Sequence, residues 1–193
     1  HLLGNHDMPY MIPGNPSLWC PGFSRGKLNV IRSTLTNEDW EKFRGAYYSQ
    51  GYLFSHAGFH PDLITHPVNG IPSPEQLVIQ ATEGLKQVKG GTWHLLYLPG
   101  RRMGELRNGG ITWQDWDDEF APIEGINQIV GHTPSRETYD RPKVDLSNLS
   151  QNWCLDRCGD NHFVGIIEDG KISFTTRKKI EYERQNSSIL EDT

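Results

Sequence analysis

No apolar run in this chain approaches the roughly 20 residues that cross a bilayer, which removes a membrane-span reading. Basic residues are not in excess either. Against 24 Asp and Glu stand 19 Lys and Arg, a net charge of −5. That balance gives no electrostatic footing for a nucleic-acid partner. Cysteine is sparse and odd in number, at Cys20, Cys154 and Cys158. Such a set fits a reducing, cytoplasmic compartment and argues against a disulfide framework. Cys154-x3-Cys158 has the look of a zinc half-site, but no second pair matches it, and the thiols read as ordinary. There is no signal-peptide pattern, although His1-Leu2-Leu3 reads as the middle of a strand, so residues are expected upstream. With no internal repeat and no linker, one domain with a sizeable core is expected.

What the chain does have is a polar cluster at its start, Leu3-Gly4-Asn5-His6-Asp7. An apolar pair runs into Gly, which reads as a strand end followed by a tight turn. Asn offers a neutral carbonyl oxygen and His an imidazole nitrogen. Both ligate intermediate divalent metals, and His also carries a proton near pH 7. Two later stretches repeat the pattern, Phe54-Ser55-His56-Ala57-Gly58 and Ile129-Val130-Gly131-His132-Thr133. Three His residues, each closing a hydrophobic run beside a Gly, point to one shared site at the carboxyl edge of a sheet.

Between these stretches the reading is uneven. Residues 8 to 35 are rich in Pro and Gly and read as an irregular loop. In it, Trp19 and Phe23 either line a groove or pin the loop to the core. Thr36 caps a helix in which Trp40, Phe43 and Tyr47 recur at helical spacing. Ser73-Pro74-Glu75-Gln76 starts a second helix with a capping box, and Gly90-Gly91 ends it. Leu77, Val78, Ala81, Leu85 and Val88 form its apolar face. His60 is a candidate substrate residue, while His66, His94 and His162 are read as ordinary. Arg101, Arg102 and Arg107 either clamp a phosphate or form a solvated face. The acidic run Asp115, Asp117, Asp118 and Glu119 reads as facing solvent. Strands are expected at 125–130 and 153–156, a loop at 135–150, and a β-hairpin from His162 to Thr175 turning at Glu168-Asp169-Gly170.

Assembled, these motifs resemble those of the calcineurin-like metallophosphoesterases, and within them the serine/threonine phosphoprotein phosphatase branch of bacteria and phages. Gly4-Asn5-His6-Asp7 is similar to the family's Gly-Asn-His-Glu/Asp block. Ser55-His56-Ala57-Gly58 is similar to its His-Gly/Ala-Gly block, and Gly131-His132-Thr133-Pro134 to its Gly-His-Thr-Pro block. Order and spacing agree over residues 1 to about 175. The resemblance implies an α/β fold, a β-sandwich of two mixed sheets flanked by helices, here without its N-terminal strands. It makes residues 1–176 the carboxyl portion of one such domain and 177–193 a polar tail. It implies a metal-dependent phosphoric-ester hydrolase in which Asn5, His56 and His132 ligate the second of two metals (Mn, Fe or Zn). His6 would be the general acid beside a dinuclear metal-activated water. A phosphorylated protein or a small phosphoester would be the substrate, with no nucleic acid or membrane partner.

This sequence departs from the family in two places. The Asp-x-His and Gly-Asp-x-x-Asp-Arg-Gly blocks that hold the first metal are not in it, so the chain carries half a site and by itself one metal or none. Where the family has Asp-Thr-Gly, it has Asp156-Arg157-Cys158. The favoured reading is the carboxyl part of a longer phosphatase. A dinucleoside polyphosphate hydrolase competes, since that sister family shares Asp7 and Ala57. The other alternative is a truncated, non-catalytic binding module.

Overall fold

The computed structural model describes residues 1–64, 70–98, 110–134, 142–157 and 162–181. In chain order its helices and strands begin with α1 (Met8–Met11), a 3₁₀ turn at Pro16–Leu18, α2 (Arg25–Thr34), α3 (Asn37–Glu41), β1 (Ala46–Ser49) and β2 (Tyr52–Ser55). Then come α4 (Pro61–Ile64), α5 (Pro74–Lys89), a 3₁₀ turn at Leu95–Tyr97 and β3 (Asn127–Val130). The chain continues through β4 (Lys143–Leu146), β5 (Gln151–Cys154), β6 (Phe163–Glu168) and β7 (Lys171–Thr176). The architecture is mixed α/β. A five-stranded mixed sheet has the order β1-β2-β3-β5-β4, and β6 and β7 form a separate two-stranded sheet.

The central three strands, β2, β3 and β5, run parallel, so their carboxyl ends meet at one edge. β1 and β4 pair antiparallel on the outside. Side chains alternate between the faces. Tyr52, Ile129 and Trp153 share one face, and Ile167, Ile172 and Phe174 of the β6–β7 hairpin pack over it. The other face carries Leu53, which joins Ala46 and the Leu77, Ala81, Leu85 and Val88 stripe of α5 in the main core.

Local chemistry accounts for the elements that the sequence announces. The Ser73 hydroxyl accepts a hydrogen bond from the Gln76 N–H, the Gln76 side-chain oxygen accepts one from the Ser73 N–H, Pro74 fills the first turn, and Gly90 closes α5. The hairpin turns at Asp169 and Gly170, with φ of 49° and 72°, the left-handed pair that a two-residue turn needs. No helix among the described residues is long and apolar enough to cross a membrane.

Other expectations are corrected. Residues 8–35 are not simply irregular, because α1, a 3₁₀ turn and the ten-residue α2 occupy much of that span. α3 stops at Glu41, and Tyr47 belongs to β1, so the Trp40–Phe43–Tyr47 spacing is not one helical stripe. Thr36 does cap α3, in a reciprocal box with Asp39. Lys143–Leu146, inside the expected loop, is an edge strand paired with β5. Of the two sheets, only the five-stranded one is mixed, because β6 and β7 are antiparallel. The opening residues contribute a single parallel bridge, Leu2 to Arg44. Residues 177–181 form a helical turn tied by an Arg177–Glu181 ion pair at 2.7 Å, and residues 182–193 lie outside the described set.

Candidate functional site

The parallel arrangement brings the strand-end residues together. His56 follows β2 and His132 follows β3, on neighbouring strands. Asn5 arrives from the turn after Leu3, whose N–H bonds the Arg44 carbonyl at 2.8 Å. His56 Nε2 lies 3.1 Å from Asn5 Oδ1 and 3.1 Å from His132 Nδ1. The two imidazoles meet edge to face, with centroids 5.0 Å apart. Asn5 is buried, and both imidazoles are partly exposed.

The backbone around this trio is specialised. A Cβ on Gly4 would stand 2.9 Å from His56 Nδ1, so only glycine admits the ring there. The Gly4 N–H donates to Asp7 Oδ2 at 2.9 Å, which gives the motif's acid a turn-closing role. The Gly131 N–H donates to the His56 carbonyl at 2.8 Å and locks the two loops together. His132 is left-handed, with φ of 69°, at a cost of about 1–2 kcal/mol for a non-glycine residue. Trp113 packs edge-on against its ring with centroids 6.0 Å apart.

Burial holds His56 below the ordinary imidazole value. The carboxylates of Asp7 and Asp156 oppose that shift, and His6 adds to it. His6, exposed on the turn before α1, and Asp156, just past β5, therefore stand within electrostatic reach of the trio. Neutral imidazole is the form that donates a lone pair to a metal. His56 Nε2 has one hydrogen or one lone pair, so it cannot serve both neighbours fully through hydrogen bonds. A cation between the three would take a lone pair from each. Donors about 2.1 Å from one ion stand roughly 3 Å apart, so the spacing and the mixed N/O set fit Mn, Fe or Zn. Among the described residues no three His, Cys, Asp or Glu are grouped so as to hold a metal, and the third donor here is the Asn5 amide oxygen.

The remaining candidates fall elsewhere. His60 is buried at the start of α4, where its Nδ1 accepts the Asp62 N–H at 3.1 Å. Burial pushes it below the usual value, against the carboxylates of Asp62 and Glu119. Arg101, Arg102, Arg107, His66 and Cys158 lie outside the described residues. Cys154 is a buried thiol donating to the Gly131 and Thr133 carbonyls, and burial pushes it up to about 11, away from the thiolate a zinc would need. Asp115 does not face solvent. It is buried, and its carboxylate accepts the Asp117 N–H at 2.9 Å.

Sequence reasoning missed the residues that hold the loops. Gln128 accepts the Phe59 N–H at 2.8 Å and donates to the Phe59 carbonyl at 3.1 Å, fixing the segment that carries His56 and His60. Thr133 Oγ1 accepts the Trp116 N–H at 2.8 Å, tying the tryptophan loop to His132. Asp156 carried a signal, as the acid ending a short strand, but its place beside His56 follows only from the parallel pairing of β3 and β5. In comparisons with protein-family models, curated proteins and solved structures, nothing matches this chain.

Proposed function

We propose that this chain carries the second-metal half of a metallophosphoesterase-type site. It would hydrolyse phosphoric esters, and phosphoserine or phosphothreonine in proteins is the substrate best matched by its motifs. The observation that carries the reading is that His56 Nε2 stands 3.1 Å from both Asn5 Oδ1 and His132 Nδ1. These three would hold a divalent ion. Such an ion supplies Lewis-acid chemistry at a phosphoryl group and a nucleophile at neutral pH.

The chain's own side chains do the rest. Asn5 and a neutral His56 offer lone pairs without adding positive charge. Asp7 and Asp156 place carboxylate charge within reach of His56 and would favour a cation there. His6 stands exposed at the rim, where it can hand a proton to the leaving oxygen, a step worth about 10²–10⁴-fold in rate.

Two measurements test this. The full chain equilibrated with Mn²⁺ and freed of excess should retain metal by elemental analysis, and His56→Ala and His132→Ala should each lose most of it. His6→Asn should retain the metal, and in a two-metal protein completed by the first-metal blocks it should lose about 10²-fold or more in phosphopeptide turnover. Equal metal content in the native chain and His56→Ala would overturn the ligand assignment. Unchanged turnover in His6→Asn would overturn the acid.

A further inference from the structure

Among the described residues, a cavity of about 350 Å³ lies outside the strand-end trio, within the ~300–1,000 Å³ of small-ligand pockets. Its walls are Tyr10 and Met11 of α1, Arg32 of α2, Leu35 just beyond it, and Asn37 and Trp40 of α3. Aliphatic and aromatic side chains share this lining with one guanidinium and one amide, and polar atoms make up the larger part of it. Arg32 is exposed and makes no ion pair with any described residue. α2 carries Arg25, Lys27 and Arg32 without an acid and buries no residue fully, in a chain whose net charge is −5. On the third wall, Asp39 is already paired with Lys42 at 2.7 Å, while Glu38 and Glu41 are exposed. Neither glutamate lines the cavity, and among the described residues Arg32 is the one charged side chain that does, too little to balance a polyphosphate. A single carboxylate matches one guanidinium.

We propose that this cavity binds an acidic peptide segment, with a carboxylate on Arg32 and the neighbouring apolar side chain between Tyr10 and Trp40. The Asn37 amide can serve the peptide backbone. The pocket also has a place relative to the strand-end site. The Met8 N–H bonds the Gly4 carbonyl at 3.2 Å and the Met11 N–H bonds that of Asp7 at 3.0 Å, so the turn at residues 5–7 leads directly into α1. Tyr10, on α1, follows His6 of that turn by four residues. A peptide seated in the pocket would therefore present its flanking residue to the strand-end site, and this role as substrate flank rests on the phosphoprotein reading above.

The test uses binding alone, on the full chain in EDTA, so that it is independent of metal and turnover. Fluorescent unphosphorylated heptapeptides with a central Glu-Leu or Gln-Leu pair are titrated by anisotropy, with adenosine triphosphate as competitor. The Glu-Leu peptide should bind about tenfold tighter than the Gln-Leu peptide, and Arg32→Gln should erase that difference. No binding, equal binding of both peptides, or a preference that survives Arg32→Gln would overturn the proposal. So would displacement by adenosine triphosphate at lower concentration than by unlabelled Glu-Leu peptide. A chain that prefers the acidic peptide in EDTA, yet retains no Mn²⁺ once the chelator is replaced by the metal, would sink the phosphatase reading and leave the pocket standing.

Discussion

Gln128 occupies the middle of β3 with none of its surface exposed. Its amide satisfies both backbone groups of Phe59, which lies 69 residues away in sequence. Replacing it with leucine keeps an apolar core but strands a buried N–H and a buried C=O. Each stranded group costs roughly 1–3 kcal/mol, so Gln128→Leu should lose about 2–4 kcal/mol in urea unfolding. Gln80→Leu, on the exposed side of α5, should change stability by less than about 0.5 kcal/mol. If the two losses are equal, the clamp is not holding the His56 segment. This residue shows where sequence reading stops. Asn5, His56 and His132 are legible because a hydrophobic run ending in glycine and a polar side chain has few purposes. Gln128 is one polar residue within a strand, which alternation assigns to solvent, and its partner arrives only through the parallel crossover. Asp115 hides for a similar reason, because an acidic run looks solvated until its carboxylate is seen engaging the Asp117 and Asp118 N–H groups.

At the level of elements, α5 and α2 are a matched contrast. Both have a serine cap, Ser73 accepting from the Gln76 N–H and Ser24 from the Lys27 N–H. α5 buries Leu77, Ala81, Gly84, Leu85 and Val88, so loosening its first turn is felt by the core. α2 buries nothing fully, so its ends open without exposing core. Ser73→Ala should therefore cost about 1 kcal/mol and lower the thermal midpoint by roughly 2–4 °C. Ser24→Ala should move the midpoint by less, with the loss confined to faster amide exchange near Lys27 and Leu28. Equal shifts for both would mean that α2 is part of the cooperative core. The same contrast decides what was readable. α5 carries a cap, a proline, an apolar stripe and a glycine stop, and every signal agrees. α2 contains Gly26, Asn29, Ser33 and Thr34, weak helix formers, and its helical state is stabilised by its cap and by packing on α1. β4 is short, follows Pro142 and alternates Lys143 and Asp145 with exposed Val144 and Leu146, so its pairing with β5 has no local signature.

For the whole molecule, a sheet covered by the main core on one face and the hairpin on the other leaves its histidines where interior meets surface. Burial pushes His60 and His94 below the ordinary imidazole value of 6.5, with Asp62 and Glu119 partly opposing the shift at His60. His94 Nδ1 accepts the Leu96 N–H at 3.2 Å, so that nitrogen must stay unprotonated for the 3₁₀ cap to persist. In the unfolded chain each imidazole takes up a proton as pH falls through about 6.5, while the folded chain resists doing so. The unfolded state then binds more protons than the folded one, so stability falls as pH falls below that point. Above it both states are neutral at these two sites, and they contribute no slope. Urea unfolding should therefore give a lower stability near pH 5.5 than near pH 7.5. His94→Asn keeps an acceptor at the cap and removes one titration, so its stability should depend less steeply on pH across the same window. A full slope in His94→Asn would show that this ring is not among the groups that acid must charge to unfold the protein.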